Sequence, residues 1–230
     1  MRRLKTEPPI IIFKQSEFRI YTSLRQVSDK MEDSYFTIAK PGEGYINEKM
    51  SKFLSFACPV KSAAEAREIV KRYSNDYHDA RHVCWAWMLG PERTDWMLND
   101  NGEPSGTAGK PILGQINSRN LTDVLVVVVR YFGGIKLGTP GLIAAYRAAA
   151  AEALDAAGTR ELFRTRKLRV TFPYQSADGV MKIVKGFGLE TIETTFDNTC
   201  SVLLAVRRSM ADEIAGRLEK VSGVSLSEEE

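Results

Sequence analysis

Two segments show the clearest patterns of apolar and polar positions along the chain. In residues 82–89, Val83, Trp85 and Trp87 alternate with a second set of side chains, which predicts a half-buried strand. Residues 124–129 form an unbroken run of Val and Leu, which predicts a strand buried on both faces. This run is far shorter than the roughly 20 apolar residues needed to cross a bilayer.

The segment before these strands predicts a hairpin and a helix. Residues 35–38 and 52–58 are β-prone and flank a turn signal at residues 41–44, which is typical of a hairpin or meander. Ser62 is a good N-cap, and Glu65 three residues later completes a capping box. Apolar positions at helical spacing continue the helix to about Tyr73.

A loop and a long helix surround the Val-rich strand. Residues 99–111 are rich in Gly and Pro, and so long an irregular segment in a compact domain is usually functional. A helix is expected at residues 111–117. After the strand, Thr139 as N-cap and Pro140 as first helical residue predict an Ala-rich helix that ends near Gly158.

The remaining pattern predicts a second domain of the split βαβ type. Its order is strand, helix, two strands and helix, with a possible last strand, and we place the domain boundary near residue 160. The expected elements lie at residues 167–174, 176–187, 190–196, 199–206 and 210–221. The expected divisions are a leader at 1–33, domains at 34–159 and 160–224, and an acidic tail at 225–230.

Charge is concentrated in the leader. The formal net charge is +3, but residues 1–30 hold seven Lys and Arg against three acids, which leaves 25 basic and 26 acidic residues, or −1, for the rest. The apolar run at residues 8–13 is too short for a secretory signal. Met31 opens the patterned sequence, which gives the hypothesis that the native chain starts there and that the leader is an annotation or cloning extension. We expect a cytoplasmic protein with no membrane segment.

Composition limits the chemistry that is available. With 43% hydrophobic and 27% charged residues, the chain is typical of soluble globular proteins. Three cysteines without CxxC spacing argue against a disulfide framework or a structural zinc site and suit a reducing compartment. We therefore expect no cofactor, no metal and no catalytic residue.

The segment at residues 130–141 has the order strand, glycines, lysine, helix start. That order directs backbone N–H groups and an ammonium to one place, as anion sites do. Its spacing fits neither the dinucleotide-binding pattern nor the P-loop pattern. The alternative is that the glycines serve only to allow a tight turn. The loop at residues 102–110 likewise either binds phosphate or ribose or forms a well-bonded Ω-loop.

Three weaker patterns have simpler explanations. His82, Asp79 and Ser105 supply the residue types of a hydrolase triad, but nothing predicts a nucleophile elbow. Cys84 shares a strand face with His82, and a buried thiol is the simpler reading. A basic cluster such as the one at residues 164–169 usually lies on a solvated sheet edge. The alternative is an RNA-binding sheet, with Phe172 or Tyr174 stacking on bases.

Three strings in the chain resemble those of the YigZ/IMPACT family: DARH at residues 79–82, DNGEPSGTAGKP at 100–111 and VRYFGGIKLG at 129–138. The resemblance covers roughly residues 35–222 and departs from the family pattern at a few positions. Asn101 stands where Asp is common, Pro140 where Gly is common, and Ala144–Ala145 where a basic residue often precedes Tyr146. Arg147 is a candidate replacement for that basic residue.

This resemblance implies an α+β protein of two domains. The first would be similar to domain 2 of ribosomal protein S5 and to domain IV of elongation factor G, and the second would be ferredoxin-like. Relatives with these folds act on RNA or the ribosome, and eukaryotic family members act in translational control. The leader matches nothing in the family.

We therefore expect a non-enzymatic factor that binds RNA or the ribosome and is linked to translation regulation. An enzyme or binder of a small phosphorylated ligand and a protein-interaction module stay open as alternatives, and the oligomeric state stays undetermined. The expected phosphate or nucleic-acid contacts are His82, Glu103, Ser105, Thr107, Lys110, Arg130, Gly133, Gly134, Lys136, Gly138, Thr139, Arg164 and Arg166.

Overall fold

A computed structural model describes residues 33–197 and 199–229. Within them the chain divides into two compact units, one of Tyr35–Arg164 and one of the residues from Thr165 onward with Asp33 and Ser34. The expectations for the leader and for Met31 lie outside the described residues. The model is mixed in α and β structure, and none of its described helices has the length and apolar character to cross a membrane.

The first unit is built on a five-stranded sheet of order β2-β3-β6-β4-β5, in which all neighbours are antiparallel. Two further strands, β1 and β7, pair with each other. The strands are β1 (Ser34–Ile38), β2 (Gly42–Glu48), β3 (Ser51–Pro59), β4 (His82–Leu89), β5 (Asp95–Asn99), β6 (Val124–Tyr131) and β7 (Thr159–Phe163). The helices are α1 (Ala63–Asp76), α2 (Gly109–Ser118) and α3 (Gly138–Ala157).

The Val-rich strand is the centre of this unit, as predicted. One face of β6 packs with residues of α2 and α3, and the other packs in the cluster that includes α1. Residues 124–129 are all fully buried. Its neighbour β4 is buried on both faces too, so the prediction of a half-buried strand at residues 82–89 was wrong: helices cover both sides of the sheet.

The predicted hairpin partner of β3 was also wrong. The strand paired with β3 is β2, which begins at Gly42 within the predicted turn, whereas β1 pairs with β7. The actual turn lies at Lys49 and Met50, which both have positive φ (46° and 65°). Ser62 caps α1 as predicted, since its Oγ accepts a hydrogen bond from the Glu65 N–H at 3.2 Å.

Two boundaries near the Gly- and Pro-rich loop and at the start of α3 also differ from the prediction. Residues 95–99 form the edge strand β5, so the irregular loop is limited to residues 100–108. The helix α3 begins at Gly138 after Leu137, which makes no side-chain capping bond, so Thr139 is in the first turn and is not the N-cap. The start of α3 is therefore open at its backbone N–H groups.

The second unit has the order βαββαβ with sheet order β11-β8-β10-β9. Its elements are β8 (Thr165–Pro173), α4 (Ala177–Gly186), β9 (Glu190–Thr195), β10 (Thr199–Arg207), α5 (Ala211–Leu218) and β11 (Ser225–Glu229). Where an acidic tail was expected, β11 pairs with β8, because Leu226 packs on the core and Glu228 and Glu229 find arginine partners.

Candidate functional site

A pocket of about 380 Å³ lies in the first unit, at the start of α3. The start of β4, the loop before α2, the end of β6 and the Gly-rich segment all contribute side chains to it. It is lined by Arg81, His82, Glu103, Pro104, Arg130, Phe132, Lys136, Leu137, Gly138, Thr139 and Leu142. The pocket thus brings together residues from all three strings singled out in the sequence.

A buried ion pair forms part of the pocket wall. Arg130 Nη1 donates to Glu103 Oε1 at 2.6 Å, and the side chains are only 6% and 3% exposed. The Tyr146 hydroxyl donates to the same oxygen at 2.8 Å. Burial, together with the neighbouring thiol of Cys84 and carboxylate of Glu103, raises the pKa of Tyr146. Tyr146 therefore stays a neutral donor that holds the Glu103 carboxylate in place.

The Arg130 guanidinium retains unused hydrogen-bonding capacity. It lies 5.4 Å from the ring centre of Phe53 and 5.6 Å from that of Phe132, within cation–π range. Its Nη2 donates to Ser51 Oγ at 3.4 Å. Its Nε is buried and has no hydrogen-bond partner among the described residues. Buried donors of this kind are usually satisfied, but this atom is shielded from the pocket, so Arg130 forms part of the wall and is not an open ligand contact.

His82 is fixed in one orientation at the pocket wall. Its Nδ1 lies 2.7 Å from the Asn101 carbonyl oxygen, and because a carbonyl only accepts, Nδ1 carries the proton. Nε2 is then directed toward Glu103, 3.9 Å from Oε1. The Asn101 side chain accepts from the Val83 N–H at 3.2 Å. The main chain and side chain of Asn101 therefore both hold the loop against the start of β4.

Asp100 closes the loop from inside. Its carboxylate accepts hydrogen bonds from the N–H groups of Gly106, Ala108 and Gly109 at 2.8 to 3.0 Å. Burial acts to raise its pKa, but these three donors and the nearby Lys110 charge outweigh it and hold the pKa below the usual range. The start of α2 is thereby capped within the protein and is not open to an external anion.

The pocket rim, in contrast, carries uncommitted positive charge. Arg81 and Lys136 are exposed, and neither forms an ion pair within residues 33–197 and 199–229. The first turn of α3 has no side-chain cap and no acidic residue. Open N–H groups and the helix dipole both favour an anion at such a position.

The glycines of the segment have different roles. A Cβ on Gly133 would lie 2.1 Å from the Met50 carbonyl carbon, so only glycine fits against the β2–β3 turn. Gly134 and Gly138 have φ values of +88° and +71°, where other residues are strained. The simpler reading of a tight turn therefore holds for these positions, and it coexists with the open start of α3.

The remaining expected site residues lie elsewhere. Lys110 lines a separate groove between α2 and α3, and Ser105 is exposed on the loop. The Thr107 hydroxyl is buried and donates to the Pro104 carbonyl at 2.6 Å, so it orders the loop. Two arginines of the basic cluster are already paired: Arg164 with Glu92, and Arg166 with Asp212 and Glu228.

The residues considered for a hydrolase triad and for base stacking, and the thiol of Cys84, make other contacts in the structure. Asp79 accepts from the Tyr131 hydroxyl at 2.8 Å and not from His82. The Cys84 thiol is buried and donates to the Asp100 carbonyl, and burial raises its pKa to about 12. Of the two residues considered for base stacking, Phe172 is 1% exposed because it faces the core of its own unit, whereas Tyr174 is 74% exposed.

Five pocket residues were missed as site residues in the sequence, namely Arg81, Pro104, Phe132, Leu137 and Leu142, and so was Tyr146 behind the pocket wall. Arg81 and Phe132 belong to the strings at residues 79–82 and 129–138. Their position in these strings was therefore the signal that would have identified Arg81 and Phe132 as site residues. Nothing local marks Tyr146, because its partner Glu103 lies 43 positions earlier.

Comparison with known proteins agrees with the resemblance. A family model described as the Impact N-terminal domain matches residues 49–154. "IMPACT family member YvyE" of Bacillus subtilis is 39% identical over 144 residues, which are 63% of this chain and 66% of that protein. "IMPACT family member in pol 5'region" of Thermus thermophilus is 36% identical over 143 residues, which are 62% of this chain and 76% of that protein. A crystal structure of a hypothetical protein, 28% identical, aligns with a TM-score of 0.65 over 86% of this chain and 98% of the other.

Proposed function

Since the chain belongs to the IMPACT family, we propose that it is a non-enzymatic RNA- or ribosome-associated factor linked to translation regulation. Its RNA contact would be the pocket at the start of α3, which accepts one nucleotide of a single strand. The first unit would be of the ribosomal protein S5 domain 2 type and the second ferredoxin-like. The βαββαβ order of the second unit supports that part of the proposal.

The observation that carries the proposal is the charge at the pocket rim. Arg81 and Lys136 are exposed cations without an acidic partner among the described residues, and they flank the uncapped start of α3. A phosphate group placed there would receive two positive charges and backbone N–H donors. Protein contacts to RNA phosphates use these same groups.

The apolar part of the pocket suits a base. Phe132 is 46% exposed and lies over the Arg130 guanidinium. Single-stranded RNA is bound through unstacked bases that stack on aromatic rings and on arginine planes. Leu137 and Leu142 complete the apolar wall, so a base and its phosphate have adjacent places.

The second unit contributes less to this proposal than the sequence suggested. Arg166 and Arg169, the arginines of the basic cluster that belong to this unit, are engaged by carboxylates of β9, β11 and α5. Pairing neutralises their charge, and phosphate binding depends on net positive charge. We therefore assign the principal RNA contact to the first unit.

Filter binding of an unstructured single-stranded RNA at low salt tests the proposal. We expect Arg81→Ala/Lys136→Ala to lower the affinity about tenfold, since two phosphate-neutralising charges are lost. The control is Lys71→Ala/Arg72→Ala, which removes the same charge from exposed positions on α1. No binding by the parent protein, or equal losses in both variants, would reject the proposal.

A second candidate function is binding of a small phosphorylated ligand. The observation in its favour is the pocket volume of about 380 Å³, which lies within the range of small-molecule sites. Thermal-shift measurements with nucleotides and phosphorylated metabolites separate the two functions. Strong stabilisation by one compound, without RNA binding, would favour this candidate.

A further inference from the structure

A second groove lies beside the pocket, between α2 and α3. It has a volume of about 360 Å³ and is more polar than the pocket. Its walls come from the end of the loop, the outer face of α2 and the second and third turns of α3. The lining residues are Gly106, Lys110, Pro111, Gly114, Gln115, Ile143 and Arg147.

The groove is positively charged. Lys110 and Arg147 are both exposed, and neither has an ion-pair partner in the described part of the chain. The Asp100 carboxylate is close enough for the Lys110 charge to act on it, and its oxygens accept three backbone N–H groups. At the other end of α2, Arg119 pairs with Asp155 at 2.7 Å. Positive charge is therefore left free only at the groove end of α2.

The groove lies further along α3 than the pocket. Pro104 and Thr139 line the pocket, and Gly106 and Ile143 line the groove, so each is formed by the loop and by α3. Thr139, Ile143 and Arg147 are spaced four residues apart and lie one above another on the helix. Arg147 is about 12 Å from Thr139 along the axis. A linear anion anchored at the start of α3 would thus run along α3 to Lys110 and Arg147.

The α3 surface beside this path is smooth. Ala144 and Ala148 are exposed small residues on either side of Arg147 in sequence. Gly114 on α2 has open space where a side chain would begin. A polyanionic backbone can therefore approach both helices closely, while a bulky base has no matching apolar wall here.

We propose that this groove binds the sugar–phosphate backbone of the same single-stranded RNA, at a phosphate beyond the nucleotide held in the pocket. The proposal rests on the proposed function. It adds that the ligand is an oligonucleotide, because a mononucleotide in the pocket would not reach the groove. Lys110 and Arg147 supply the charge for the second phosphate.

Fluorescence anisotropy with a labelled mononucleotide and a labelled octauridylate tests this inference. In Lys110→Ala/Arg147→Ala we expect about a tenfold loss of octanucleotide affinity and no change for the mononucleotide. The slope of log affinity against log salt should fall in magnitude by about 0.7 for each lost phosphate contact. The matched control is again Lys71→Ala/Arg72→Ala, and thermal melting checks that each variant is folded.

The outcomes separate the inference from the proposed function. If the parent binds neither ligand, the proposed function fails and the inference with it. If the Arg81→Ala/Lys136→Ala variant loses binding but the groove variant matches its control, only the inference is overturned. Equal losses for both ligands would also overturn it. Polyglutamate binding of equal strength that is lost in the groove variant would overturn it too, since the groove would then be a site for acidic protein segments.

Discussion

The Glu103 carboxylate and the Arg130 guanidinium are 2.6 Å apart, and both side chains are more than nine-tenths buried. Each charge has lost most of its hydration, and the attraction between the two offsets that cost. The pair joins the loop before α2 to the end of β6, and Tyr146 of α3 donates to the same carboxylate oxygen. Three elements of the pocket are therefore held at one point.

Removing one charge of this pair should destabilise the protein strongly. Glu103→Gln leaves the buried Arg130 charge without its counter-ion, and we expect the free energy of unfolding to fall by about 3 to 5 kcal/mol. Urea unfolding followed by circular dichroism measures it. Glu152→Gln, on the exposed side of α3, should change it by less than about 0.5 kcal/mol.

A double-mutant cycle checks the cause. Glu103→Leu/Arg130→Met replaces both charges by apolar side chains, and it should cost less than the sum of the two single changes. Strict additivity would show that the two side chains contribute independently and would contradict this account of the site.

The Asp100 carboxylate should make stability depend on pH. Its pKa is below the usual Asp value of 3.8 in the folded protein, so its contribution is complete above that value and is lost as pH falls through the folded pKa. Asp100→Asn should be less stable than the parent by about 1 to 2 kcal/mol at pH 6, as for other lost helix caps. The difference should shrink at about pH 3. A constant difference in urea unfolding across this range would contradict the assignment.

Gly133 should not tolerate a side chain. Gly133→Ala places a methyl group against the Met50 and Ser51 backbone, which we expect to cost about 1 to 3 kcal/mol and to displace the segment. Gly216→Ala is the control: it lies within α5 with open space around it, so it should stabilise by about 0.5 to 1 kcal/mol. Thermal melting of the two variants should give shifts of opposite sign.

The paired arginines of the second unit should be unnecessary for RNA binding. Arg166→Ala/Arg169→Ala removes charges that carboxylates already neutralise, so affinity for single-stranded RNA should stay within about twofold of the parent. Filter binding under the conditions used for Arg81→Ala/Lys136→Ala makes the comparison direct. A larger loss here than in the pocket variant would transfer the RNA contact to the second unit.

The local sequence pattern was enough to predict elements that depend on a uniformly apolar run or on bonds between neighbouring residues. The run at residues 124–129 has no polar position, so only a strand covered on both faces satisfies it. Ser62 and Glu65 determine the start of α1 through bonds between near neighbours. Such features need no knowledge of the rest of the chain.

Features that depend on distant residues were not predictable in this way. Gly42 and Gly44 suggested a turn, but they lie in β2, where the α3 backbone at Ala153 approaches too closely for a Cβ. The real turn uses Lys49 and Met50, which are not typical turn residues at positive φ. Arg130 was expected to face phosphate, and its partner Glu103, 27 positions away, became known only from the fold.

Photo-cross-linking with RNA that contains 4-thiouridine tests the central claim most directly. After digestion with trypsin, we expect the main cross-linked peptide to be residues 131–136, which holds Phe132 and ends at Lys136. Cross-links confined to peptides from residues 165–229, such as the one that holds the exposed Tyr174, would contradict the account.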